Sequence, residues 1–311
     1  VEGGEILNAS AMQGLFPLLL LSPAFLAVAW VVTRAQWFWS HNPDLQFGWI
    51  VLLLCAYLFW EAWEKRPPVD WRARPWAVAC FAAGLAGMFL VQIYQAVMGS
   101  SAPTTLGLAL GGMLVAAGNL GLVYGGAGLR RFGMAFGFLL IAMPVPSGIQ
   151  GPVVGALQDK VAWFNTEVLN LIGIPATQVG SLIHLPAGTV GVDEACSGIR
   201  SLQSTIMATI FIGYLTLNRF SLQVLLFGCG VALAILGNLI RSLYLSLTAN
   251  ARGIEAIAGV HDAAGWSILT FTAVGVLILS WFFKKLERQM DRLEADTEGA
   301  RPEPPKPAPA A

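Results

Sequence analysis

The stretch LeuGlnValLeuLeuPheGlyCysGlyValAlaLeuAlaIleLeuGlyAsnLeuIleArg (222–241) carries no charge until its last residue, a guanidinium. Its length matches the roughly 20 residues a helix needs to cross a hydrocarbon core. Apolar residues occupy all sides of such a helix rather than one stripe, so its surroundings are lipid or other helices. A helix also satisfies its own backbone polar groups, which a bilayer demands. The full run extends over about 221–246, and seven more of the same kind lie near 15–33, 47–63, 76–98, 104–124, 132–146, 199–217 and 264–283. The expected fold class is therefore all-α, a polytopic membrane bundle of about eight transmembrane helices.

Composition agrees with this reading. Of 311 residues 56% are hydrophobic and 12% charged, against about 25% charged in an ordinary soluble domain. Mean hydropathy is +0.66. Eighteen Lys plus Arg balance eighteen Asp plus Glu, and no basic stripe interleaved with aromatics occurs. Nucleic acid is not an expected partner, while membrane lipid is. Cys55, Cys80 and Cys229 lie inside apolar runs and read as small hydrophobes. No CxxC or Cys/His ligand spacing appears, so neither metal nor cofactor is expected. ValGluGlyGly at the start has no basic n-region, so a cleavable signal is not expected.

Between the fifth and sixth runs lie about 50 residues of different character. The fifth run ends at MetProValPro (143–146), where two prolines stop a helix. Over 151–172, Val154, Leu157, Val161, Phe164, Val168 and Leu171 recur at helical spacing, which predicts an amphipathic helix lying in the interface. A β-leaning segment follows through LeuIleHisLeuPro (182–186), and GlyThrValGlyVal (188–192) leads into AspGluAlaCysSerGly (193–198). Gly107, Gly111, Gly112 and Gly118 in the fourth run predict close helix packing. The natural division is a transmembrane domain over 1–285 and a charged, Pro-rich tail over 286–311, read as a short helix and then disorder.

Cations set the orientation. With the N-terminus cytoplasmic, the outer loops hold Arg34, Lys160 and Arg252; Arg200 and Arg241 fall at outer ends of spans; every other Lys and Arg is inside. Both termini are thus expected in the cytoplasm, with 151–198, Arg241 and the 250–263 loop at the opposite face.

Polar residues within spans are costly and mark candidate sites. Cys196 precedes the helix expected from about Ser197, whose positive end favours thiolate over thiol. Gly198 allows close backbone approach there. Arg241 shares a helix face with Asn238, three residues earlier, and can stabilise a thiolate or an oxyanion or else snorkel to head groups. Arg200 lies one turn after Cys196 and can pair with Asp193 or Glu194. His261 stands before the last span, suited to acid and base work or simply to a surface loop, with Asp262 beside it. Each has a structural alternative. Together, Cys, Arg and His from three spans at one face match nucleophile, oxyanion donor and base.

AlaCysSerGlyIleArgSerLeu (195–202), AsnLeuIleArg (238–241) and His-x-x-x-Gly (261–265), in that order, resemble the exosortase/archaeosortase family of membrane transpeptidases. The resemblance covers about 140–283, the expected catalytic half. It implies a cysteine peptidase or transpeptidase of the bacterial cell membrane. Its partners would be exported proteins with a C-terminal sorting signal: a Pro-Glu-Pro motif, a transmembrane helix and a basic cluster. It also implies Cys196 as nucleophile, Arg241 as thiolate or oxyanion stabiliser and His261 as acid and base, with Arg200, Asn238, Glu194 and Asp262 in support. Three rivals stay open. One is a transporter or channel for an envelope precursor. Another is an intramembrane serine protease using Ser197, Ser201 or Ser204, although no Gly-x-Ser-x-Gly occurs. The third is a scaffold for polysaccharide export.

Overall fold

The structure, a computed structural model, describes residues 16–70, 72, 74–192 and 199–299, the last two and first two residues of the final stretch by backbone alone. The chain divides into two compact units, 1–154 and 155–311. It is an all-α membrane bundle with one small sheet.

The first unit contains α1 (Ser22–His41), a short 3-10 turn (Pro43–Leu45), α2 (Gly48–Glu64), α3 (Pro75–Met98), α4 (Ala102–Gly137) and a 3-10 segment (Phe138–Ala142). Glycine holds α3 against α4. A Cβ on Gly118 would stand 2.5 Å from the Phe81 nitrogen, and one on Gly84 2.6 Å from the Val115 nitrogen. Side chains are excluded where the two backbones meet, the packing expected of small residues in lipid. Trp39 is fully buried, and its indole nitrogen donates to the Ala142 carbonyl at 2.8 Å.

The expected fourth span is the first limb of α4, and the expected fifth takes in the end of its second limb and the 3-10 segment that follows; the limbs part at Gly125 (φ 68°, ψ −157°). Only glycine takes that conformation without strain. The break frees carbonyls of the preceding turn, and the loop before α3 supplies their donors. Arg74 donates to the Gly121 carbonyl at 3.2 Å, and the Asp70 N–H donates to the Val123 carbonyl at 2.8 Å. Asp70 in turn pairs with Arg74. That hydrogen bond, with one from the Arg72 N–H, holds the Asp70 carboxyl below the usual range.

The unit boundary falls within α5 (Ser147–Leu171). The second unit continues with β1 (Thr177–Val179), β2 (Leu182–Leu185), β3 (Gly188–Gly191), α6 (Ile199–Thr216), α7 (Phe220–Arg252) and α8 (Ala256–Gly299). The strands form an antiparallel sheet in the order β1-β2-β3, with Ile183 opposite Val190. Ile183 and Val190 join Val161, Leu169, Leu245 and Ala249 in one buried cluster, so the sheet is anchored on α5 and α7. Residues 286–299 prolong α8 as helix.

Among the described residues, five helical segments are long and apolar enough to cross a membrane: Pro43–Glu64, Pro75–Met98, Ala102–Ala142, Phe220–Arg252 and Ala256–Thr297. The first and sixth expected spans also form helices, as α1 and α6.

The apolar stripe expected on α5 is divided between an exposed side and a buried one. Phe164 is 42% exposed and Leu171 84%, while Val161, Ala162, Asn165, Thr166 and Leu169 are buried. In water the apolar stripe would turn inward. In a membrane protein large apolar side chains can face lipid, and polar ones then turn to the protein interior.

Candidate active site

Helices α7 and α8 are sequential neighbours joined by a short turn at Gly253, whose φ is 88°. They run against each other through Gly237, where a Cβ would lie 3.0 Å from Ile268. Arg241 follows Gly237 by one turn, and His261 precedes Ile268 by two. Antiparallel packing therefore sets Arg241 opposite Gly265, and His261, one turn away, is within reach of its long side chain. Arg241 Nη2 lies 3.0 Å from His261 Nε2. Gly265, one turn beyond His261, leaves room for the guanidinium: a Cβ there would sit 3.5 Å from the same Nη2.

This contact assigns the proton on the imidazole. A guanidinium only donates, so Nε2 must accept and His261 is neutral in this arrangement. The ring proton is then on Nδ1, which donates to Asp262 Oδ1 at 3.2 Å. Asp262 is 95% exposed while the His261 side chain is 34% exposed. The carboxylate therefore acts from the solvent side, where screening weakens it. Adjacent residues on a helix do not share a face, so sequence alone left this contact open.

Asn238 is buried, and its side-chain oxygen has no hydrogen-bond partner among the described residues. The same holds for Nε of Arg241. Arg200 lies in the first turn of α6. Cys196 and Glu194 lie outside the described residues, as do Asp193, Ser197 and Gly198. The structure thus brings Arg241 and His261 together, adds Asp262 to His261, and sets Asn238 one turn before Arg241.

The other two histidines are occupied locally. His41 stacks on Trp37 with centroids 4.9 Å apart, and its Nδ1 meets the Trp37 carbonyl at 2.8 Å. His184 Nδ1 meets Thr189 Oγ1 at 2.7 Å across β2 and β3.

One residue was not singled out from sequence. Asn165 on α5 is fully buried with both carboxamide atoms unpartnered among the described residues. Its signal was available: it stands one turn from Val161 and one from Leu169, both apolar, so a buried stripe through them carries a polar side chain inside.

A family model described as transmembrane exosortase matches residues 39–279. No curated protein and no solved structure matches the chain.

Proposed function

The chain belongs to the transmembrane exosortase family, and from that premise we propose that it is a membrane-embedded cysteine transpeptidase that cleaves C-terminal sorting signals of exported proteins. The observation that carries the assignment of roles is the 3.0 Å contact between Arg241 and His261. It joins a fixed cation to a neutral imidazole, the pair an acyl-transfer site requires beside its nucleophile.

The sequence of events is as follows. The Cys196 thiol loses its proton to His261 Nε2 and attacks the scissile carbonyl. Accepting that proton ends the hydrogen bond from Arg241, because imidazolium has no lone pair left. The released guanidinium N–H groups are then free for the developing oxyanion, and like charge drives the two cations apart. Collapse of the tetrahedral intermediate expels the amine of the downstream signal, which takes the proton from His261. The product is a Cys196 thioester of the upstream protein. Neutral again, His261 removes a proton from the acceptor, an amine or water. The acceptor attacks the thioester, and the sulfur leaves and regains its proton. Asp262 holds the Nδ1–H through both steps.

Glu194, Arg200 and Asn238 are assigned supporting roles around this centre. The cation distribution favours a site on the non-cytoplasmic face of a bacterial cell membrane, with both termini inside. The catalytic half would span about 140–283, and residues 286–311 a cytoplasmic tail. The exported proteins enter with their own membrane helix, which suits access from lipid.

The test is processing in membranes. A tagged protein ending in a Pro-Glu-Pro sorting signal is co-expressed with wild type, Cys196→Ala, Arg241→Ala and His261→Ala at matched levels. Wild type should shorten the substrate, and each variant should lose that processing by about 100-fold or more. Processing by Cys196→Ala at the wild-type rate would sink the proposal and favour a serine-based or non-enzymatic role.

A further inference from the structure

The first unit contains a groove of about 320 Å³. Its floor is Ala135 and Phe136 of α4 and Leu139 of the 3-10 segment, all buried. Its rim includes Phe25 of α1 and Leu53 and Ala56 of α2, all exposed. The groove therefore opens between α1 and α2, beside two segments long and apolar enough to cross a membrane. Leu52 and Phe59 line it as well, so it runs along two turns of α2, about 10 Å. Apart from the Cys55 thiol, every side chain that lines it is hydrocarbon. Water needs about two to four polar partners and finds none in such a lining. A helix is about 10–12 Å across with its side chains, too thick for a space of this volume. A dry cavity of about 150 Å³ takes one benzene, so this groove takes about a dozen carbon atoms. An elongated space of that capacity, open to lipid, fits one acyl chain.

Apolar filling alone does not distinguish a bound lipid from bulk, because tails are as apolar as leucine. The selectivity lies at one end. Arg131 stands at the level of Glu61 and Ala62, whose carbonyls accept from its Nη2 at 2.7 Å and its Nε at 3.2 Å. Nη1 takes no part in either bond. One turn earlier on α2, Phe59 meets Phe25 and Phe136 with centroids 5.1 and 6.1 Å apart. These three rings form the end of the groove nearest Arg131. Lys65 and Arg66 follow α2 at the same end, both exposed, and Arg66 lies over the Trp63 ring at 4.6 Å. Glu61, 3.9 Å from Arg131, and the exposed Glu64 offset two of these three charges, and Asp70 is paired with Arg74. That end of the groove is left positive.

We propose that the groove is a binding site for an anionic phospholipid, with one acyl chain between α1 and α2 and the headgroup at Lys65, Arg66 and Arg131. Basic pockets at the ends of membrane helices attract such headgroups. Dispersion contacts with the floor hold the chain, and the cations choose the lipid. The site is independent of the transpeptidase reading.

The test is photo-crosslinking of the full chain in phosphatidylcholine vesicles. Two probes are compared, phosphatidylglycerol and phosphatidylcholine, each with a diazirine midway along one of otherwise identical acyl chains. Adducts are mapped by peptide mass spectrometry. With the phosphatidylglycerol probe they should concentrate in 52–59 and 135–139 rather than on the exposed Leu85, Phe89 and Leu90 of α3. The phosphatidylcholine probe should label the groove less by on the order of 10-fold. Ala56→Trp fills the groove from its exposed rim, and should abolish adducts there while leaving those on α3. Lys65→Gln combined with Arg66→Gln changes only exposed side chains, and should bring the two probes within about 3-fold of each other. It tests the proposal even if the tryptophan variant fails to fold. Adducts spread evenly over α2 and α3 overturn the site. Equal labelling of the groove by both probes in wild type overturns the role of the cations. No adducts in the groove overturn the proposal in favour of another occupant, such as side chains from a second copy.

Discussion

The two units of this chain solve the same problem, polar groups in a membrane protein, in different ways. In the first, several nitrogen donors are turned onto backbone carbonyls, as those of Asn170, Gln178 and Gln223 are in the second. Trp39 bonds Ala142 at 2.8 Å, Asn119 bonds Leu20 at 3.1 Å, and Arg131 bonds Glu61 at 2.7 Å and Ala62 at 3.2 Å. Among the described residues what stays open there is oxygen, such as Gln95 Oε1, whose own amide nitrogen is bonded to Thr104. Arg241 of the second unit differs: it spends a donor on a side chain that can change its proton, and its Nε has no partner among the described residues. A carbonyl partner fixes a cation permanently. An imidazole partner releases it when protonated. The first arrangement builds a scaffold, and the second leaves a group free to act.

The contrast breaks most sharply under opposite substitutions. Gly118→Leu puts a branched side chain where even a Cβ would stand 2.5 Å from the Phe81 backbone. No rotamer relieves a backbone clash, so the helices must separate. The expected cost is about 3 kcal/mol or more, the upper end for overpacking. Thermal unfolding should show a large drop in Tm, with processing lost because little folded protein remains. Arg241→Ala should do the reverse, removing processing with Tm nearly unchanged. A glycine variant that folds normally, or an Arg241 variant that unfolds, would erase the distinction.

Much of this division was legible in sequence and part was not. The apolar helices were, because length and hydropathy are local properties, although the runs at 104–124 and 132–146 lie in one continuous segment. The close packing of Gly111 and Gly118 followed from residue size alone, and that of Gly84 on the facing helix did not enter the reading. The break at Gly125 was hidden, since GlyGlyAlaGly (125–128) offers several equivalent places to bend, and Arg74, far away in sequence, fills the space beside only one. Which side of α5 meets protein was not legible, because apolar periodicity names a face but not whether lipid or protein covers it. The same ambiguity hid Asn165. Arg241 and His261 could be paired from the antiparallel order of their helices, but the ring tautomer needed the 3.0 Å contact.

A second test sharpens the comparison inside the second unit, at its end away from the candidate site. Glu287 is 1% exposed and accepts from the N–H groups of Asn218 and Arg219, each at 2.8 Å, and from Lys284 at 2.7 Å. Arg219 is the N-cap of α7, so a carboxylate from α8 caps α7 where its dipole is positive. Arg219 itself reaches Asp291 at 2.7 Å and Glu294 at 2.8 Å. This end uses polar groups as the first unit does, to lock helices. Glu287→Ala leaves two N–H groups and an ammonium without their acceptor, costing about 1–3 kcal/mol. Glu287→Gln keeps one oxygen for both N–H groups and should cost less. Chemical or thermal unfolding should show that order, with processing by the folded fraction unchanged. A large loss of kcat in Glu287→Gln would mean that this end communicates with the site.

The smallest expected effect concerns Asp262. A buried aspartate holding a catalytic histidine in its correct tautomer is worth about 10⁴ in rate. Asp262 has the same partner atom, at 3.2 Å, but is 95% exposed. Water competes for the Nδ1–H, and solvent screens the charge. Asp262→Asn should therefore lower kcat by only about 2-fold to 5-fold, in line with an exposed interaction of about 1 kcal/mol or less. Asp262→Ala should do much the same, because water replaces either side chain, and neither should move Tm. The Arg241 contact on the other nitrogen sets the same tautomer independently, which is a second reason for a small effect. A loss of 1,000-fold or more would show that Asp262 becomes enclosed when substrate binds, and that His261 depends on its carboxylate as much as on Arg241.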